Sequence, residues 1–173
     1  MKIGYAILAL VALQRAGELW YASKNTRALK ARGAIEHGRG HYPFIVLLHA
    51  SWLAAIAIGI HRDAGVRAVP LLFFVLMQAL RAWVLATLGS YWTTRVITLP
   101  GAPLVRDGPY RFLRHPNYLV VIAEMALLPL AFGQITNAVV FSIVNGAVLA
   151  WRIRVEDGAL RPTENVREAR ASG

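Results

Sequence analysis

The chain has 173 residues, of which 57% are hydrophobic and only 16% charged, with a mean hydropathy of +0.47 and a formal net charge of +10. A soluble domain is about half apolar and about a quarter charged; a water-exposed fold of this length could not hide so much apolar surface, whereas a bilayer can. The absence of cysteine excludes disulfides, thiolate chemistry and cysteine zinc sites, and basic residues confined to short segments between apolar runs argue for membrane orientation and against nucleic acid.

Five apolar segments follow in chain order: Ile3–Tyr21, Pro43–Ile60, Val69–Leu88, Pro116–Phe132 and Ile135–Trp151. Each approaches the ~20 residues a helix needs to cross hydrocarbon. Arg15 and Glu18 do not suit the core of a cleavable signal, so the first segment is expected to be a retained helix. The predicted fold class is therefore all-α, a single polytopic membrane domain over residues 1–173 with about five transmembrane helices and a polar, frayed tail over 161–173. The last two spans form a tight hairpin, broken by Pro129 and Gly133, with only Gln134, Thr136 and Asn137 adding polarity between them.

Lysine and arginine set the orientation. The segments Trp20–Tyr42, Gly89–His115 and the C-terminal tail carry 14 of the 19 basic residues; the other side has only Lys2, Arg62 and Arg67. The positive-inside rule then puts the N-terminus outside and the C-terminus in the cytoplasm. Trp20, Trp92 and Trp151 are expected in an interfacial aromatic belt on the cytoplasmic side.

Charges inside spans are costly and call for a partner or a purpose. Arg15 and Glu18, spaced i, i+3, are expected either to pair with each other or to touch substrate. Gln78 lies one turn before Arg81 and can share its face. His49 and His61 read as packing or interface residues. Glu124, two turns into the fourth span and on the face of Asn117, either lines a cavity or is a neutral acid bonded to a neighbouring helix.

The densest polar run is Asp107–Tyr118. Pro116 suits the first position of a helix, which leaves free N–H groups and a positive dipole end beside Arg114 and His115. That combination reads as an anion site at the cytoplasmic surface, or as a lipid anchor. On the last span Asn145, Arg152 and Glu156 fall within roughly 40° of one another around the helix, with Asp157 turned roughly 100° away. If the last two helices are antiparallel neighbours, the Arg114–His115 site faces this stripe. A zwitterionic ligand with ribose hydroxyls suits such a pair of surfaces.

The run Gly108-Pro109-Tyr110-Arg111, then Arg114-His115-Pro116-Asn117-Tyr118, followed a hairpin later by Arg152-Ile153-Arg154-Val155-Glu156-Asp157, resembles the isoprenylcysteine carboxyl methyltransferase family. The likeness is strongest from Gly108 to Leu160. With the earlier segment Arg15…Glu18…Asn25-Thr26…Gly33-Ala34…Glu36…Gly38-Arg39-Gly40-His41-Tyr42, it extends to a bacterial branch associated with type III polyketide synthases. Asp157, where a second glutamate or another residue is usual, and the short tail after Leu160 depart from the family pattern. The resemblance implies an integral membrane O-methyltransferase using S-adenosyl-L-methionine, without a metal, in a cell membrane of bacterial type with its active site facing the cytoplasm. It implies a cofactor-binding part over about 89–160, with Tyr110, Arg114, His115, Pro116, Asn117, Tyr118, Arg152 and Glu156 around the cofactor. His115, Arg114, Glu124 and Arg152 are the candidate catalytic residues, and His115 or Glu124 is the base if the acceptor must lose a proton. The partners implied are membrane lipid and a lipidic acceptor: a long-chain alkylpyrone or alkylresorcinol hydroxyl, or a prenylcysteine-like carboxylate. No soluble-type SAM fingerprint of strand and Gly-x-Gly-x-x-Gly turn is present. A nicotinamide-dependent membrane reductase of the sterol-reductase type, and a non-enzymatic scaffold or transport protein, are the alternatives.

Overall fold

The computed structural model describes residues 2–60, 65–102 and 105–171, with the backbone alone at residues 2, 41 and 160–171. Five helices dominate: α1 (Lys2–Ala31), α2 (Tyr42–Gly59), α3 (Ala68–Leu88), α4 (Pro116–Ala131) and α5 (Ile135–Ala171). Three of these, α2, α3 and α5, are long and apolar enough to cross a membrane. The sixteen residues of α4 are apolar but short, and α1 is interrupted by Gln14, Arg15 and Glu18. His61 and Arg62 lie outside the described residues.

Two helices outrun their apolar stretches. α1 continues ten residues past Tyr21, so Lys24 to Lys30, expected in a loop, are helical. It ends in a Schellman turn: Gly33 takes a positive φ of 87°, the Gly33 N–H bonds to the Lys30 carbonyl and the Ala34 N–H to that of Leu29, each at 3.0 Å. α5 likewise stays helical to Ala171 instead of fraying after Arg161.

The fold departs from all-α in one small antiparallel ribbon, β1 (Ile35–His37) with β2 (Val96–Thr98), in the register Ile35 to Thr98, Glu36 to Ile97 and His37 to Val96. Short 3-10 turns at Arg39–His41, Gly89–Tyr91 and Gly108–Arg111 complete the described structure.

α4 is the central helix, packed against α3 on one side and α5 on the other. It buries Val120, Met125 and Leu128 almost fully. A main core joins Leu8 and Val11 of α1, Trp52 and Ile56 of α2, Phe74 of α3 and Met125, Leu128 and Phe132. A smaller cluster of Ala22, Val84 and Trp92 touches Leu88 and Tyr110. Trp92 is thus core, stacked on Tyr21 at 6.1 Å, and not part of an exposed belt; Trp20 and Trp151 remain exposed. Large apolar side chains also stand on the outside, such as Leu72, Phe73 and Leu76 of α3 and Val140 and Ile143 of α5. Such a surface suits hydrocarbon better than water. At the far end, Gln134 Nε2 and Asn137 Nδ2 donate to the Ile56 and Ala55 carbonyls, satisfying the last turn of α2.

Candidate functional site

The cleft at one end of the bundle lies where the α4 N-terminus, the outer half of α5 and the segment Leu88–Thr98 converge. Its inner chamber, of about 160 Å³, is lined by Trp92, Thr93, Arg95–Thr98, Tyr110, His115, Asn117, Tyr118, Arg152 and Glu156. The outer chamber, of about 720 Å³, shares Leu88, Tyr91, Ile97, Thr98, Tyr110, His115 and Glu156 with it and adds Leu29, Leu99, Val105, Arg106 and Arg111–Arg114. Together they fall in the ~300–1,000 Å³ range of small-molecule sites.

Pro116 occupies the first helical position of α4 and His115 the cap before it. One turn in, Tyr118 is buried, and its hydroxyl is the hub of the inner chamber: it donates a short hydrogen bond to Glu156 Oε2 and accepts one from Arg152 Nε at 3.0 Å. The His115 ring stacks on that of Tyr118 with centroids 5.1 Å apart and 18° between planes. His115 Nδ1 lies 3.8 Å from Glu156 Oε1 and Nε2 lies 4.0 Å from Asp157 Oδ1. Arg152 Nη1 donates to the Thr94 carbonyl at 2.8 Å, which ties α5 to the cleft wall. Asn117 aims its Oδ1 into the protein with no partner. Burial, and to a lesser degree the charge of Glu156, push the Tyr110 hydroxyl up to about 12, so it stays a neutral donor.

Seven of the residues singled out by sequence meet here: Tyr110, His115, Asn117, Tyr118, Arg152 and Glu156 in the inner chamber, and Arg114 in the outer. The anion site read from Arg114 and His115 holds its own anions, however. Glu156 and Asp157 flank the imidazole on both nitrogens, and Arg114, 69% exposed, lies 3.8 Å from Asp157. Asp157, though next in sequence to Glu156, therefore reaches the same histidine.

Glu124 is not with them. Seven residues past Asn117, it sits about 10 Å deeper along the helix. Its two oxygens accept from Arg81 Nε at 3.0 Å and from Arg81 Nη2 in a shorter bond, from Gln78 Nε2 at 2.6 Å and from Arg15 Nη2 at 3.2 Å. Glu18 closes the group: it accepts from Arg15 Nη1 at 2.9 Å, Arg81 Nη1 at 3.2 Å and Gln14 Nε2 at 2.9 Å. Two carboxylates and two guanidiniums thus form a neutral, buried quartet linking α1, α3 and α4. The Arg15–Glu18 pair is present as read, but inside a larger network in which Arg81 and Glu124 are each other's main partners. Asn145 also lies deeper than the cleft, buried on α5 with its Nδ2 unpartnered. His49 is a packing residue, bonded to the Ile45 carbonyl and edge-on to Trp52.

Within the cofactor-binding part expected over about 89–160, the residues that sequence reasoning did not single out are Thr93, Arg95, Val96, Ile97 and Thr98, which form one wall of the inner chamber. Arg95 had been read only as an orientation charge. The ribbon with β1 holds this wall, so residues before 89 contribute to the cleft, and Leu29 lines it directly.

A zwitterionic nucleoside fits these groups. Glu156 and the orphaned Asn117 Oδ1 are acceptors for hydroxyls or an ammonium, Arg95 supplies a cationic edge, and Tyr91 and Tyr110 supply aromatic faces.

Residues 69–162 match the isoprenylcysteine carboxyl methyltransferase (ICMT) family. The chain is 38% identical to the uncharacterized protein YpbQ of Bacillus subtilis, over 91% of this chain and 96% of that protein. It is 25% identical to an uncharacterized protein of Haemophilus influenzae, over 79% of this chain and 83% of that one. No solved structure matches.

Proposed function

The chain belongs to the isoprenylcysteine carboxyl methyltransferase family, a family of membrane-bound methyltransferases, and on that premise we propose that its cleft binds S-adenosyl-L-methionine and O-methylates a lipidic acceptor. The observation that carries this reading is the Tyr118 hub, where His115, Arg152 and Glu156 from two helices converge beside an unpartnered Asn117 oxygen.

When bound, the cofactor supplies an electrophilic methyl group on a sulfonium. Everything else falls to this chain. Glu156 and Asn117 accept hydrogen bonds from hydroxyls or an ammonium. Tyr118 and Arg152 hold Glu156 in place. Tyr110, which stays protonated, keeps its hydroxyl available as a donor. The outer chamber offers an apolar floor from Leu29, Leu99 and Val105 below a rim of Arg106, Arg111 and Arg114. An amphiphile with an anionic or acidic head fits that layout, its chain leading back toward the bilayer. In-line transfer then depends on positioning and on exclusion of water. A carboxylate acceptor needs no base. A phenol or enol does, and the stacked His115, with a carboxylate near each nitrogen, is placed to take the proton. Among the described residues Glu124 has no route to such a proton, because donors surround both its oxygens; its place is structural. An alkylpyrone or alkylresorcinol hydroxyl is the acceptor we favour over a prenylcysteine carboxylate, because the histidine is built as a base.

The orientation follows from charge. With five crossings, N-terminus outside and α4 and α5 as a hairpin, the cleft and most of the basic residues share the cytoplasmic face. The family assignment favours methyl transfer over a reductase or a scaffold.

The test is thermal denaturation in mild detergent with S-adenosylhomocysteine, S-adenosylmethionine or NADPH. A ligand at 100 times its Kd stabilises the native state by about 2.7 kcal/mol. Both adenosyl ligands should raise the Tm of the wild type and fail with Glu156→Ala, while Tyr118→Phe weakens the shift. Labelled S-adenosylmethionine then screens alkylresorcinols, alkylpyrones and prenylcysteines. A shift with NADPH alone, or none from folded protein, overturns the reading.

A further inference from the structure

The cleft wall is held from behind by an ion cluster that the chemistry described so far does not use. Glu36, in the middle of β1, has a side chain only 2% exposed, enclosed by three cations. Oε1 accepts a short hydrogen bond from Arg95 Nη1, and Oε2 accepts one from Lys30 Nζ; Arg39 Nε lies 3.4 Å from Oε2. Burial raises the Glu36 carboxyl, but the Lys30 and Arg95 bonds and charges outweigh it and hold the group below its ordinary value, so it is a carboxylate at neutral pH. Arg95 is gripped on a second side: its guanidinium lies 4.0 Å from the centre of the Tyr42 ring. The same arginine lines the inner chamber.

Arg106 and Arg111 line the outer chamber alone, and the other cations in or beside the inner chamber are compromised as anion hosts. Arg152 is committed to the Tyr118 hydroxyl and the Thr94 carbonyl. His115 is flanked by two carboxylates, and Arg114 stands at the exposed rim beside Asp157. Among the described residues, the Arg95 guanidinium is bonded only to Glu36, through one nitrogen. Its planar fork therefore has an edge left for a carboxylate, and its orientation is fixed in advance by a buried counter-ion and an aromatic ring.

We propose that Arg95 receives the carboxylate of the cofactor's amino-acid moiety, and that Glu36 is a positioning residue that holds the Arg95 guanidinium toward the cleft. The inference rests on the reading that the cleft takes S-adenosylmethionine. Preorganisation of this kind acts on affinity, because a side chain already immobilised loses less freedom when the ligand arrives.

The experiment measures binding of two probes to full-length protein in detergent by calorimetry. S-adenosylhomocysteine carries the amino-acid carboxylate; 5′-methylthioadenosine lacks it. Glu36→Gln and Arg95→Gln should each weaken S-adenosylhomocysteine by about tenfold, the equivalent of about 1.4 kcal/mol, and leave methylthioadenosine unchanged. The double variant should be no worse than Arg95→Gln alone, because Glu36 acts through Arg95. Glu36→Asp, which keeps the charge, should recover part of the loss. If Glu36 only fastened the ribbon, both probes would weaken together or neither would, and the two substitutions would add; either result overturns the inference. If Glu36→Gln does not fold, Arg95→Lys carries the test: it keeps a cation for Glu36 and gives up the fork. It should weaken only S-adenosylhomocysteine, and an unchanged Kd for that probe refutes the assignment. A wild type that binds neither probe overturns the methyltransferase reading and this inference with it. A wild type that binds both, with variants that do not discriminate between them, overturns this inference alone.

Discussion

Replacing Glu124 by Gln removes one charge from the buried quartet and changes almost nothing in volume. In the wild type the charges cancel: Glu18 and Glu124 face Arg15 and Arg81. After substitution two guanidiniums share the single carboxylate of Glu18. The new amide also turns one NH₂ group toward donors, since Arg81, Gln78 and Arg15 all donate to this position. Breaking a buried ion pair by removing one partner costs about 3–5 kcal/mol, and an uncompensated arginine in a bilayer costs about 2.5–3.5 kcal/mol even on lenient insertion scales. At about 2–4 °C per kcal/mol for a chain of this size, Glu124→Gln should lower the Tm by about 6–20 °C. Arg81→Gln should do the same. The double variant leaves Arg15 paired with Glu18 and the group neutral, so it should be much milder than the sum, with a coupling energy of about 2 kcal/mol or more. Tryptophan fluorescence in mild detergent follows the unfolding, with Trp52 in the core and bonded to the Met125 carbonyl one residue past Glu124. The reasoning is refuted if Glu124→Gln melts with the wild type, or if the single costs add in the double variant. A variant with unchanged Tm and abolished turnover would instead return Glu124 to the chemistry.

Two further outcomes follow. Gly108 sits at φ +57° at the start of the turn that presents Tyr110, and a Cβ there would lie 2.4 Å from Thr87 Oγ1 and 3.1 Å from Trp83 Nε1; Gly108→Ala should cost about 1–3 kcal/mol through strain and contact, seen as a lower Tm and weaker S-adenosylhomocysteine binding, and an unchanged Tm would show that the turn relaxes freely. Glu36, held below its ordinary value of 4.5, contributes stability that is fully present above that pH and is lost as pH falls through the lower folded-state value; the Tm difference between wild type and Glu36→Gln should therefore be constant near neutrality and shrink below pH 4.5, and a difference that persists undiminished into strong acid refutes the ion-cluster account.

The parts legible in the sequence are those governed by local period and helix-end chemistry. Pro116 announced the start of α4. The spacing of Arg152 and Glu156 placed both on the side of α5 that meets Tyr118, and the i, i+3 spacing of Arg15 and Glu18 gave their pairing. What was hidden depends on contacts between distant segments. Nothing in the residues around Glu124 tells that Arg81 lies opposite, because two charged residues on separate helices carry no shared period. Three-residue strands such as Ile35–His37 and Val96–Thr98 are too short to show alternation and exist only because each finds the other. Arg95 looked like one more topogenic cation, since counting charges says nothing about what a guanidinium leans on. Trp92 looked interfacial for the same reason; its burial comes from Ala22 and Val84, one on each of two other elements.

The outer turns of α1 bear on what could be detached from this protein. Asn25 Nδ2 donates to the Gly89 and Trp92 carbonyls, Leu29 lines the outer chamber, and Lys30 helps hold Glu36 behind the wall. All of these precede the stretch, residues 69–162, by which the family is identified. A fragment cut to that stretch would keep the motifs between Gly108 and Asp157 and lose the buttress on which one side of the cavity stands. The stretch that carries the family match and the mechanical unit are therefore different lengths of chain: the first can be read from a motif, and the second includes the N-terminal helix.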